Sequence, residues 1–274
     1  MCELFGMSSA RPTVLRYELD LFAREGGERH RNRDGWGIAF AEDRDTHLFR
    51  EAEPAAASAL AHMVMSREIP SQTVIAHVRR ASQGGTVIAN THPFTRVRYG
   101  RVHHFAHNGT LAGIESLPDS GRLLGQRVGD TDSELAFLLL LALLERANAV
   151  TVNARFRVFV AFCQKMRQLG PANFLFFDGE VLYVHADRRV FETPEGLTAA
   201  REPGLVMRHF ARESFSGEDW HARGAHIDSL HRNTILLASV PLNDAGWKPV
   251  PRGAALGLRN GRVIASNYRG QTTK

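Results

Sequence analysis

Ten consecutive apolar residues, Leu135 to Leu144, are closed at each end by a glutamate, Glu134 and Glu145. As a helix this run reaches only about half the thickness of a bilayer core. It reads instead as a helix buried inside a protein. An all-apolar helix needs neighbours on every side, and the flanking sequence supplies blocks of strand before and after it.

Ahead of the run, a strand is expected near residues 2–7, an amphipathic helix around 14–24, and a Gly/Arg/Asn-rich loop from Gly26 to Gly35. Trp36 to Phe40 reads as a strand, residues 55–65 as a helix, and Thr73–Val78 and Arg101–Ala106 as strands. Two long helices follow, Asp132–Ala147 and Ala154–Leu169, the second stopped by Gly170-Pro171. Strands then return. Asn173–Phe177 and Val181–His185 flank the turn Asp178-Gly179-Glu180, with Thr234–Val240, Ala255–Leu258 and Val263–Ala265 beyond. A second hairpin turn is expected at Asn260-Gly261. No repeat or linker divides residues 1–274, so one layered α+β domain is expected, with a frayed tail from about 268 to 274.

Composition excludes several classes. The net charge is +5, but the basic residues are scattered and nearly all arginine, with no aromatic-interleaved basic run to grip nucleic acid. Two cysteines, Cys2 and Cys163, do not make a disulfide framework and suit a reducing cytosol. The amino terminus lacks a basic region followed by an apolar stretch, so no secretory signal is expected and the protein reads as cytoplasmic.

Cys2 carries the chemistry most directly. Removal of Met1 would place a thiol beside a free α-amine, whose ordinary pKa of ~7.7–8.0 suits a general base near neutral pH. Three further motifs accompany it. Ile75-Ala-His-Val-Arg-Arg-Ala-Ser-Gln-Gly84 runs a strand into a polar loop, where a guanidinium can grip a carboxylate with a two-pronged hydrogen bond. In Phe105-Ala-His-Asn-Gly109, Asn108 offers a side-chain amide and Gly109 an unobstructed N–H to a developing oxyanion. Gly129-Asp-Thr-Asp-Ser-Glu134 opens the long helix, where Asp130 and Asp132 can cap it or one carboxylate can hold an ammonium.

In this order the motifs resemble the class II glutamine amidotransferases, which use an N-terminal nucleophile. The elements are Met1-Cys2-Glu-Leu-Phe-Gly6, His77-Val-Arg-Arg-Ala-Ser82, Thr91-His-Pro-Phe94, His107-Asn-Gly109 and Thr131-Asp-Ser-Glu134. Arg33-Asp-Gly-Trp-Gly-Ile-Ala-Phe40 is similar to stand-alone members, among them the ergothioneine-pathway amidohydrolase and the amidotransferase-like subunit of glutathione breakdown. The resemblance implies a four-layer αββα fold, two mostly antiparallel sheets between helices. It implies Cys2 as nucleophile, Asn108 and Gly109 as oxyanion donors, Arg79 on a substrate α-carboxylate and Asp132 on its α-ammonium. Ser82 stands where relatives usually carry Thr and keeps the hydroxyl; Val78, Arg80 and Ser133 also depart from the usual pattern.

No cofactor is implied, and the histidines do not suit a metal. On one strand His103 and His107 can share a face while His104 points away, and no Cys or acidic partner has matching spacing. The expected reaction is hydrolysis of a glutamine or γ-glutamyl side-chain amide through a Cys2 thioester. The partners are a small γ-glutamyl molecule and possible separate synthase or peptidase subunits, with no nucleic acid or membrane. Ammonia delivery to such a synthase, or an N-terminal-cysteine amidase acting on other acyl amides, are the alternatives.

Overall fold

The computed structural model describes residues 2–16, 32–67, 69–210, 220–222, 225–228, 233–241 and 246–268. The expected tail beyond 268, the segment 17–31 and Met1 lie outside these residues.

The chain opens with strands β1 (Glu3–Arg16), β2 (Trp36–Glu42) and β3 (Asp45–Glu51), then helix α1 (Ala59–Ser66) and strand β4 (Pro70–Val78). A hairpin, β5 (Phe94–Arg98) and β6 (Arg101–Gly109), leads to helices α2 (Ser120–Leu124), α3 (Asp132–Arg146) and α4 (Val152–Met166). Strands β7 (Ala172–Phe177), β8 (Leu182–His185), β9 (Glu192–Thr193), β10 (Gly196–Leu197) and β11 (Val206–Phe210) follow. The remainder is β12 (Trp220–Ala222), β13 (Ala225–Asp228), β14 (Thr234–Ala238), β15 (Lys248–Pro249), β16 (Ala255–Arg259) and β17 (Arg262–Ser266).

Two antiparallel sheets face each other. The first runs β15-β11-β14-β1-β4-β2-β3, with β13 also on β1 and β12 on β13; the second runs β17-β16-β8-β7-β6-β5. Side-chain alternation sorts the apolar residues into three layers. Leu4 and Ile75 of the first sheet meet Ala106, Leu175, Leu182 and Val184 of the second. Phe5, Met7, Val74 and Ala76 point the other way, toward Ala61 and Val64 of α1. Phe105, Phe174, Phe176 and Tyr183 turn outward from the second sheet against Phe137 of α3 and Phe159 and Phe162 of α4. The result is helix, sheet, sheet, helix. Gly6 allows the sheets to close, because a Cβ there would lie 3.1 Å from Leu175 Cδ1.

Two expectations need correction. Val14 to Arg16 do not begin a helix; they extend β1 and pair with Asp228, Ile227 and His226, while 17–24 fall outside the described residues. A register shift between Ser8 and Thr13 lets the long strand continue along β4 instead of stopping. The 55–65 helix is split, because Ser58 leaves the helical conformation and its hydroxyl caps α1 by accepting from Ala61 N at 2.8 Å. The apolar run is helical, as its flanking glutamates suggested, and residues 132–141 of α3 are all buried. Among the described residues, no helix is long and apolar enough to cross a membrane.

Candidate active site

Pairing of Glu3 with Val78 sets the start of β1 beside the end of β4. The Cys2 sulfur consequently sits against the main chain of Arg80, accepting from its N–H at 3.2 Å and lying 3.2 Å from its carbonyl oxygen. The second sheet contributes Asn108, whose Nδ2 donates to the Cys2 carbonyl at 2.6 Å. Asn173 on the neighbouring strand steadies that residue, donating through Nδ2 to Asn108 O at 3.0 Å.

Asn108 and Gly109 are the last residues of β6, opposite Asn173 and Ala172. Gly109 cannot be replaced without moving β7, since a Cβ there would come within 1.8 Å of the Pro171 oxygen. Just beyond it, the Thr110 hydroxyl lies 3.2 Å from that of Ser82, so the two strand-end loops meet across the site.

Arg79 is buried and organises its own loop. NH1 donates to the carbonyls of Asp34 and Gly85, and NH2 to those of Gln83 and Gly84. Asp34 closes the ring from outside, its carboxylate accepting from Ala81 N at 2.7 Å and from the Thr86 hydroxyl at 3.2 Å. The far end of the loop is pinned by Asn90, which donates to Asp130 Oδ1 at 2.6 Å and accepts from Asp130 N at 3.0 Å. Gly84 has a left-handed backbone, φ +74°, and a Cβ there would strike Asp130 Oδ1 at 2.3 Å.

The helix cap falls to Thr131 and not to either aspartate: its hydroxyl accepts from Glu134 N at 3.1 Å. Asp132 is free of that duty and lies buried as the first helical residue. Oδ2 accepts from Leu111 N at 2.7 Å, and Oδ1 from Ser133 N at 2.8 Å. A carboxylate has about four acceptor positions, so Asp132 retains capacity for a further donor. Ser133 in turn lies 2.9 Å from His107 Nδ1, whose other ring nitrogen meets Pro171 O at 3.1 Å.

Burial dominates the electrostatics. It pushes the Cys2 thiol up, opposed by the Arg80 hydrogen bond and the Arg79 charge. It pushes Cys163, inside α4, well above the ordinary thiol value. His77 is driven down to about 3 by burial and then by Arg79, and burial also holds His92, its ring tilted against that of His77 at 4.2 Å, well below its ordinary value. His107 is lowered by burial despite the nearby Asp132 charge. Burial therefore disfavours the charged form of all three imidazoles, His77, His92 and His107. Among the described residues no three His, Cys, Asp or Glu side chains converge as metal ligands.

A family model for class II glutamine amidotransferases matches residues 1–274. The chain belongs to that family. An uncharacterized protein of Methanocaldococcus jannaschii is 32% identical over 98% of this chain and 72% of its own length. A protein provisionally named as a glutamine amidotransferase in Haemophilus influenzae is 36% identical over 97% and 86% respectively. The crystal structure of a predicted glutamine amidotransferase from Pseudomonas aeruginosa superposes with a TM-score of 0.67 at 29% identity, covering 96% of this chain and 100% of that one. The glutamine phosphoribosylpyrophosphate amidotransferase of B. subtilis shares the fold, with a TM-score of 0.58 at 16% identity over 97% of this chain and 49% of its own.

In this class II glutamine amidotransferase Cys2 meets residues of two of the other motifs, Arg80 and Asn108. The Ser82 and Thr110 hydroxyls meet beyond the ends of β4 and β6, and Asp132 holds the N–H of Leu111, two residues after Gly109. The Arg79 fork, by contrast, is turned onto the carbonyls of its own loop. Asp34 and Asn90 were not singled out from the sequence, although Asp34 lies in the Arg33–Phe40 motif and Asn90 directly precedes the Thr91–Phe94 motif. Nothing distinguished Thr110.

Proposed function

We propose that this family member hydrolyses the side-chain amide of glutamine or a larger γ-glutamyl compound through a Cys2 thioester. The observation that carries the reading is the corner in which the Cys2 sulfur lies against Arg80 while the Asn108 amide reaches the same residue. A primary amide has two N–H donors; the Cys2 carbonyl uses one, and the other is available to an oxyanion. With Met1 removed, the Cys2 α-amine takes the thiol proton and the sulfur attacks the γ-carbonyl carbon. Asn108 and Gly109 hold the oxyanion. As the tetrahedral adduct collapses, the C–N bond breaks and the ammonium proton passes to the departing nitrogen. Water, deprotonated by the same amine, then cleaves the thioester to give glutamate and the free thiol.

The depressed histidines support an amine base. An imidazole with a pKa of about 3, as at His77, is a weak base at neutral pH. Arg79 and Asp132 would recognise the two ends of the glutamyl α-carbon. For Arg79 this requires a substrate carboxylate to replace loop carbonyls at Gln83 and Gly84, an exchange in which the guanidinium gains a charge-assisted partner. A zwitterionic head group distinguishes this reading from an amidase of apolar acyl amides. A screen of γ-glutamyl amides and peptides, with wild-type and Cys2→Ala protein side by side, tests it. Glutamate release confined to the wild type is expected, and release persisting in Cys2→Ala would refute the mechanism. Release seen only after a co-purifying partner is added would reassign the chain as an ammonia-delivering subunit.

A further inference from the structure

The residue that follows Cys2 in sequence and the one that touches it in space are both held by a single short stretch, residues 189–192. Arg189 grips Glu3 with two nitrogens, NH1 to Oε2 at 2.9 Å and NH2 to Oε1 at 2.8 Å. NH1 also donates to Ser239 O at 2.5 Å, and the Ser239 hydroxyl donates to Glu3 Oε2. Ser239 is tied to the next residue of β1, with its N–H on Leu4 O at 3.0 Å and its Oγ accepting from Leu4 N at 2.9 Å. Relative exposures of Glu3, Arg189 and Ser239 are 5%, 4% and 2%. Three residues further on, Glu192 pairs at 3.2 Å with Arg80, the residue whose N–H meets the Cys2 sulfur.

Buried ion pairs add little net stability compared with apolar replacements, so stability alone does not explain one placed next to Cys2. A two-pronged arginine does more than neutralise a carboxylate: it fixes its position and orientation. We propose that Arg189 is a positioning residue for the Cys2 nucleophile, pinning Glu3 so that the chain start is held in place, and cancelling a carboxylate charge one residue from the thiol and its α-amine. This rests on the reading of Cys2 as the nucleophile. Among the described residues, the charged groups around Cys2 are Arg79 and Arg80 at the end of β4, Glu3 on β1, Arg189 after β8, and Glu192 bound to Arg80.

The test separates charge from geometry in the full-length, Met1-free chain. Its readouts are glutamate release from glutamine and the pH dependence of Cys2 labelling by a glutamine-like diazo-ketone. Glu3→Gln leaves the Arg189 cation uncompensated, and a guanidinium cannot discharge. The acid limb of labelling should then move down by about one pH unit. Arg189→Lys keeps the charge and loses the fork, so the limb should stay in place while kcat falls about ten-fold with little change in KM. An unmoved limb in Glu3→Gln, or wild-type kcat in Arg189→Lys, overturns the proposal. If either single variant does not fold, Glu3→Gln/Arg189→Met carries the test. A wild-type limb with kcat lowered about ten-fold supports the role, and wild-type kcat rejects it. Glutamate release that survives Cys2→Ala removes the underlying reading and this proposal together. Cys2-dependent release indifferent to all three variants removes the proposal alone.

Discussion

The side-chain amide of Asn108, at the end of a strand in the second sheet, donates to the main-chain oxygen of Cys2, at the start of a strand in the first, across 2.6 Å. This bond joins the two sheets at the point where the proposed chemistry occurs. It makes Asn108 both a positioner of Cys2 and a donor with one N–H in reserve.

Asn108→Ala should therefore be costly. Loss of one oxyanion donor lowers kcat by roughly 10²–10³-fold, with a smaller change in KM. Steady-state glutamate release measures both. A variant within a factor of two of wild type would place the oxyanion elsewhere.

Mass analysis of active protein should show Met1 absent, because the proposed base is the Cys2 α-amine. A diazo-ketone analogue of glutamine should add once, to Cys2, and leave Cys163 untouched. Burial in α4 keeps the Cys163 thiol protonated and out of reach. Full activity with methionine retained would exclude the amine as base.

Arg79→Lys keeps a positive charge but cannot serve four carbonyls in a planar fork. It should lower kcat/KM about 10- to 100-fold, as expected for loss of charge-assisted hydrogen bonds, and most of the loss should vanish on substrates without a free α-carboxylate. Asp132→Asn should discriminate in the same way against substrates with a free α-ammonium. Equal losses on blocked and free substrates would assign these residues to loop and helix order only.

Acid should destabilise the protein before its carboxylates titrate. His77 and His104 are held down to about 3 and His185 to about 4, chiefly by burial. The unfolded chain binds protons on these rings at its ordinary pKa near ~6.5. Their stabilisation is thus present above that value and is lost as pH falls from about 6.5 toward the folded values. At pH 5, unfolding should take up roughly three protons at these sites, a slope of about 4 kcal/mol per pH unit. Denaturant midpoints between pH 7 and 5 measure it, and a flat profile would contradict the burial of these rings.

The sequence made the strands legible where apolar or β-branched residues ran together between turn signals: Trp36–Phe40, Thr73–Val78 and the hairpin at Asp178–Glu180 all stand as strands or turns. It misled at Val14–Arg16, where pairing with β13 and β4 outweighs local helical periodicity. The motif residues around Cys2 were visible because each is chemically unusual at its position. Their supports were not. Asn90 meets Asp130 across 40 positions and Arg189 meets Glu3 across 186, and one polar residue among many gives no sign of so distant a partner.

The strand that begins at Glu3 is flanked by β4 and by β14, whose residues 234–238 come late in the chain. Because β14 follows β4 and β11 in chain order, β1 gains this second neighbour only after those strands have been made. Until then the strand that follows Cys2 has an open edge where β14 will pair. Under the proposed mechanism, the strand that carries the nucleophile is held on both sides only once β14 is in place.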